Sequence, residues 1–344
     1  MQTDLRHFVR ALVVSVALAL GASAVAQPTS PFFDDTMSLS RAFGLELIAS
    51  RLHAIEALDG DYGDYFGQAR KLLSRDIRRF EGTLTAADPA LAQELRGALQ
   101  AVLDDVEAGR GAGNSIAAAR DAWARAYDAV IDADTHASLA FTAMVLADLL
   151  LQDDGVAEAY EDAAEDDLWE YPSGYGALVR VKAIWAERVA PFATPEQVAD
   201  VEEMFEFLDT VVYPTVRPPA AITGDPEEAE AATQRMTGIL ESIANADLYP
   251  SRNLGRLAES LAGTLAPGCE AYAAGDDLSG VEAVYAVRNP YRKHLRRLLD
   301  LIAPEIHEPA AALLDALISS DPPADRGAAC LELHELLLEA RGVL

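Results

Sequence analysis

Residues 38–58 read SLSRAFGLELIASRLHAIEAL. Leu39, Phe43, Leu47, Ile48, Leu52 and Ile55 fall at i, i+4, i+8 and onward. That spacing lines one face of an α-helix and does not fit the alternation of a strand.

The same period continues outward along the chain. Residues 63–83 carry Phe66, Leu72, Leu73, Ile77 and Phe80, and 89–107 carry Leu91, Leu95, Leu99, Val102, Leu103 and Val106. Asp88-Pro89 is a helix start, because Asp can cap the free amides and Pro lacks only an N–H that the first turn does not use. Gly109-Arg-Gly-Ala-Gly113 breaks the pattern before a helix over 115–131. Residues 137–151 (ASLAFTAMVLADLLL) are apolar nearly all round, yet too short to span a bilayer and interrupted by Asp148. That composition predicts a buried central helix.

Further helices are expected at about 154–166, 173–190, 195–212, 226–245, 252–273, 278–302, 305–319 and 324–341. Thr194-Pro-Glu-Gln197 and Asp225-Pro-Glu-Glu228 mark two of the starts. Tyr213-Pro-Thr-Val-Arg-Pro-Pro-Ala220 cannot be helical. The expected fold is all-α: a helical bundle over 27–212, a Pro-rich linker over 213–225 and a second bundle over 226–344, made of antiparallel hairpins. The hairpins repeat. Ser74-Arg-Asp-Ile-Arg-Arg-Phe80 followed by Asp88-Pro-Ala-Leu parallels Arg292-Lys-His-Leu-Arg-Arg-Leu298 followed by Glu308-Pro-Ala-Ala, and Tyr175–Ile184 followed by Thr194-Pro is a weaker third copy.

Residues 1–26 place Arg6, His7 and Arg10 before the apolar run 11–20 and an Ala24-Val-Ala26 cleavage site. This is the pattern of a secretory signal peptide. A periplasmic or secreted chain starting near Gln27 is expected, with no membrane span after cleavage. Export would put Cys269 and Cys330 in an oxidising compartment, where they are structural, either paired or simply buried.

The full chain of 344 residues has 27 Lys and Arg against 56 Asp and Glu, a net charge of −29. Such a surface repels phosphate backbones, so nucleic acid is excluded as a partner and cations fit better. No nucleophile elbow, His-Glu-x-x-His, Cys-x-x-Cys, phosphate loop, dinucleotide fingerprint or haem-attachment motif is present. A non-enzymatic chain without haem or nucleotide is expected, with no catalytic residues.

The candidate sites are of the metal type. His53 and Glu56 stand at i, i+3 on one helix face. Glu158, Glu161 or Asp162, and Glu165 make a stripe of hard oxygen ligands suited to ferric iron, calcium or manganese. Glu305, His307 and Glu308 form another cluster, as do Glu332, His334 and Glu335. The plain alternatives are solvated polar pairs and a solvated acidic face. Arg292, Lys293, Arg296 and Arg297 surround His294 and offer a docking face for an acidic partner or anion.

The string Ala159–Leu178, AYEDAAEDDLWEYPSGYGAL, resembles the extracytoplasmic region of bacterial iron permeases of the FTR1 family. There a Tyr-acid-Ala helix, a short turn and a second helix opened by a Tyr follow one another. The paired unit at 65–108 is similar to that region too, and the resemblance spans most of 60–300 as a pattern. The permeases' membrane helices and their Arg-Glu-Gly-x-Glu signature are missing, so the likeness is to the extracytoplasmic part as a free-standing protein. A second likeness is to imelysin-type periplasmic proteins with a Gly-x-His-x-x-Glu signature. Arg51-Leu-His53-Ala-Ile-Glu56 keeps the His and Glu and has Arg where the signature has Gly. These resemblances imply a metal-handling protein, with iron as cargo and a membrane permease or another envelope protein as partner. The competing expectation is a metal-free helical interaction or scaffold protein of the cell envelope.

Overall fold

The structure, a computed structural model, describes residues 35–344 apart from 64, 166 and 249–253. The expected signal segment 1–26 lies outside the described residues. The fold is all-α, with no strand among the described residues. In chain order the helices are α1 (Thr36–Leu58), α2 (Tyr65–Asp76), α3 (Glu81–Ala87), α4 (Pro89–Glu107), α5 (Gly113–Val130), α6 (Ala133–Ala137), α7 (Leu139–Leu151) and α8 (Val156–Ala164). They continue with α9 (Tyr171–Ile184), α10 (Pro195–Phe207), α11 (Pro226–Ala244), α12 (Leu254–Ala273), α13 (Asp277–Pro290), α14 (Arg296–Ile302), α15 (Pro304–Ile318) and α16 (Arg326–Val343).

Helix starts follow local chemistry. Asp88 Oδ1 accepts from the amides of Ala90 and Leu91, with Pro89 in the first turn of α4. Thr194 and Gln197 form a reciprocal capping box at α10. The long helix expected over 63–83 is divided instead by a 3₁₀ turn, Ile77–Arg79. Those expected over 173–190, 195–212 and 278–302 loosen into π turns at Trp185–Val189, Leu208–Val212 and Tyr291–Leu295. Pro290 enters the last of these without an N–H to give to the preceding turn. The three hairpin copies thus share a non-α turn before a helix that opens on Pro89, Pro195 or Pro304. The third opens five residues ahead of Glu308-Pro309, which lies inside α15.

Helix α1 is buried over most of its length, with Glu56 and Ala57 exposed near its end, and packs on α5, α7, α9 and α13. Its period reads as amphipathic, but the charges on its other faces are paired internally. Glu46 meets Arg180, Arg51 meets Asp154 and Arg41 meets Glu282. Paired charges can be buried; single ones cannot. Helix α7 is buried over nearly its whole length, as its composition predicts.

Two apolar clusters fill the interior, one built from residues between Leu39 and Leu248 and the other from residues between Leu257 and Ala340. Residues 213–225 are irregular, as the prolines require. They are nevertheless fastened down: Tyr213 is buried and donates to the carbonyl of Val156 at 2.7 Å. Beyond them α11 lays Ala229, Met236 and Leu240 into the first cluster, against α7 and α8. The first core therefore runs across the Pro-rich segment and ends near Leu248. In the second cluster α12 packs along α16, joined by a Cys269–Cys330 disulfide. No helix among the described residues is long and apolar enough to cross a membrane.

Candidate functional site

The His53–Glu56 pair is occupied by an arginine. Arg120 of α5 donates to His53 Nδ1 at 3.0 Å and to Glu56 at 2.5 and 3.2 Å. A guanidinium has donors only, so Nδ1 is the acceptor and the ring proton sits on Nε2. Burial, then Arg120 and Arg180, push the His53 pKa down to about 4, against the pull of Glu56. A cation at this pair would have to displace Arg120.

Of the other candidate histidines, His307 is engaged in the same way. His307 is buried and hydrogen-bonded through Nδ1 to Tyr291 Oη at 2.9 Å, with the two rings stacked, while Glu305 and Glu308 face solvent. His334 Nδ1 lies 3.5 Å from Glu335 on α16. These pairs sit on α1, α15 and α16, and among the described residues no three His, Cys, Asp or Glu side chains form a group able to cage a metal ion.

The acidic stripe is different, because the fold enlarges it. Helix α8 carries Glu158, Glu161 and Asp162, with Glu165 just beyond. The tight turn before it holds Asp153 and Asp154, the latter at φ 66°, and a Cβ on Gly155 would come within 2.6 Å of the Leu149 carbonyl. Only glycine fits there, so the chain turns sharply from α7 into α8 and carries Asp153 and Asp154 back against the stripe. Glu170, in a 3₁₀ turn, lies close enough to feel the charges of Asp154 and Asp162. Burial, followed by Asp153, Asp162 and Glu161, raises the Glu158 pKa to about 7, with Arg292 opposing. Asp162 is raised by burial and by Asp153, Asp154 and Asp167. Glu170 reaches about 8 through burial and Asp154, against Arg51 and Arg75. Sequence reading missed Asp153, Asp154, Asp167 and Glu170. The Asp153-Asp-Gly155 turn signal was visible, but the direction in which it turns the chain was not.

Beneath this crowd lies a buried ion network. Arg51 Nη2 is 2.9 Å from Asp154 and its Nε is 3.7 Å from Asp76. Arg75 donates to Asp154 at 2.6 Å and to Asp76 at 3.1 Å. Burial works to raise Asp154, but Arg75 and Arg51 prevail and hold it down to about 2. Arg79 follows between the rings of Phe43 and Tyr285, 5.2 and 4.7 Å from their centres. The network ties α1, α2 and the Asp153–Asp154 turn together.

The basic helix turns inward at the same place. Arg292 pairs with Asp153, and Lys293 with Asp148 at 3.0 Å. Arg296 and Arg297 are exposed. His294 is driven down to about 3 by burial and Lys293. Half of the basic patch therefore anchors the second core to the acidic end of the first, and half stays on the surface.

No protein-family model matches the chain, and neither a curated protein nor a solved structure does.

Proposed function

We propose that the chain is a non-enzymatic, extracytoplasmic cation-handling protein that takes up a hard cation at the Asp153–Glu170 face and passes it to a membrane transporter. The observation that carries this reading is Glu158, a carboxyl raised to about 7 in the company of Asp153, Glu161 and Asp162. Burial is the larger cause of that rise and repulsion from the neighbouring carboxylates the next, and a bound cation relieves the repulsion as a proton does. With no closed cage among the described residues, the cation is held through one or two carboxylates while keeping much of its water. That is weak, reversible capture, suited to relay and not to storage. The likeness of residues 159–178 to iron-permease extracytoplasmic segments covers this same face, which makes iron the first cargo to test, with calcium and manganese beside it. His53 and Glu56, closed by Arg120, are not part of the site in this reading.

The test is a metal titration of the chain from Gln27, with iron and calcium, against Glu158→Gln/Asp162→Asn and His53→Ala/Glu56→Ala. Saturable binding lost in the first double variant and kept in the second supports the proposal. Absence of saturable binding in the unaltered chain overturns it.

A second reading, a metal-free interaction module, is favoured by one observation. Leu301 and Ile302 are 79% and 47% exposed on the same short helix as exposed Arg296 and Arg297. Large apolar side chains so exposed mark contact surfaces when they cluster. An envelope partner retained in the presence of chelator, and lost with Arg296→Glu/Arg297→Glu, would favour this reading over cation relay.

A further inference from the structure

A cleft of about 510 Å³ opens at the seam between the two apolar clusters, with α1 and α3 on one wall and α12 and α13 on the other. Its size falls within the range of about 300–1,000 Å³ seen for small-molecule sites. Three features of the walls set what the cleft can hold.

The first is Arg41. Its Nε donates to Glu282 at 2.5 Å. Glu282 is buried, and it also accepts from the Thr83 amide at 2.9 Å and the Thr83 hydroxyl at 2.7 Å. Three donors fix the carboxylate, and the carboxylate fixes the guanidinium. A Cβ on Gly82 would come within 2.8 Å of Glu282 Oε2, so a glycine is what lets this carboxylate in. The terminal nitrogens of Arg41 bond to no other described residue, and the side chain lines the cleft. They form a donor fork of fixed orientation, the geometry that suits a carboxylate.

The second is Gly263, in the middle of α12. A glycine there costs about 1 kcal/mol of helix propensity relative to alanine. No packing demands it, since a Cβ would meet nothing within 4 Å. The space it leaves open is the cleft.

The third is Pro267, also inside α12 and lining the same cleft. It has no N–H to give the carbonyl four residues back, and that carbonyl belongs to Gly263. The helix bond that would normally occupy this carbonyl is therefore missing at a residue that lines the cleft. The Thr83 hydroxyl, its hydrogen already given to Glu282, adds acceptor lone pairs on the opposite wall.

The charges of Arg41 and Glu282 cancel, and the chain as a whole carries −29, so a free anion gains little here. A ligand with an anionic end for the fork, a donor end for the acceptors and no net charge fits all of these features. We propose that the cleft binds a small zwitterion, the simplest being an α-amino acid, with its carboxylate on Arg41 and its ammonium on the Gly263 carbonyl and the neighbouring hydroxyls. This site is separate from the acidic face and stands or falls without it.

The test uses the chain from Gln27 and the common free amino acids, followed by ligand-observed NMR and by thermal shift. The N-acetyl forms, which lack the ammonium, and the methyl esters, which lack the carboxylate, are titrated in parallel. At least one free amino acid should bind saturably, and its two derivatives should bind at least about tenfold more weakly. Gly263→Leu should leave the melting temperature unchanged or raised, because its side chain enters open space and improves the helix, yet weaken binding at least about tenfold. Arg41→Lys keeps a charge beside Glu282 but loses the fork, and should weaken binding similarly. The proposal is overturned if no free amino acid binds. It is equally overturned if the acetylated and esterified forms bind as well as the parent, or if binding survives both variants.

Discussion

The His53–Glu56 pair on α1 and the Glu158–Asp162 stripe on α8 are built from the same kind of material, titratable side chains one helical turn apart. Burial disfavours the charged form at both, and the charges around them are opposite. Burial, then Arg120, drives the histidine of the first down to about 4. Burial, then Asp153, Asp162 and Glu161, drives the glutamate of the second up to about 7. Spacing on one helix puts two groups on a common face, but the neighbouring elements decide whether that face is already satisfied. At α1 the neighbour is a guanidinium from α5. At α8 it is more carboxylate, Asp153 and Asp154, delivered by a turn that only glycine permits and themselves paired with Arg292, Arg51 and Arg75.

The largest effect is expected where the two regions differ most, in what supports them. Arg51→Ala leaves Asp76 and Asp154 in the interior with Arg75 as their shared partner and should lower the unfolding free energy by up to about 3 kcal/mol, less than the cost of a buried charge left wholly unpaired. Arg120→Ala at the half-exposed His53–Glu56 pair should cost no more than about 1 kcal/mol. Urea unfolding measures both, and equal losses would erase the distinction.

The pH dependence comes next, and the two regions have opposite signs. Glu158 and Glu170 are raised in the folded state, so the native chain holds protons that the unfolded chain has released. Their contribution to stability falls as pH rises from near the ordinary carboxyl range through about 7 and about 8. His53 is depressed, so the unfolded chain takes the proton first. Its contribution is present above the ordinary histidine pKa and is lost as pH falls towards about 4. Glu158→Gln should flatten the fall on the alkaline side, and His53→Gln should flatten the loss on the acid side. The difference between each variant's stability and that of the unaltered chain, followed between about pH 4 and about pH 8, isolates each group, and differences that change with pH in the same sense would contradict the assignment.

The smallest effect sharpens the comparison by converting one region towards the other. Arg120→Ala removes the nearest positive charge and a hydrogen bond from His53 Nδ1. The His53 pKa should rise from about 4 towards the ordinary value, with burial and Arg180 still opposing it. NMR titration of the ring protons follows this directly, and an unmoved value would assign the depression to burial alone.

Much of the fold was legible in the sequence, because helix periodicity and Pro-led starts are local signals. The helix over 89–107 begins and ends where Asp88-Pro89 and the glycine break place it. The loosened turns at 77–79, 185–189 and 291–295 were not legible, since each sits within an unbroken apolar period. The burial of most of α1 was hidden for a related reason: Glu46 and Arg51 look solvent-facing until Arg180 and Asp154 arrive from distant parts of the chain. The cysteines were legible as structural but not as bonded, and the packing of α12 on α16 brings them together. For the sites, the sequence picked out the stripe on α8 but not Asp153, Asp154 or Glu170. It picked out His53 and Glu56 without Arg120, which lies 64 residues beyond Glu56.

The most direct test of cation capture at the acidic face is the proton balance of binding. Calcium and iron are titrated calorimetrically into the chain from Gln27 near pH 7, in buffers of different ionisation enthalpy. If a cation replaces the proton that Glu158 holds near pH 7, binding releases a fraction of a proton, and Glu158→Gln abolishes that release together with most of the affinity. Binding with no proton release, release unchanged in Glu158→Gln, or no binding at all would contradict the account.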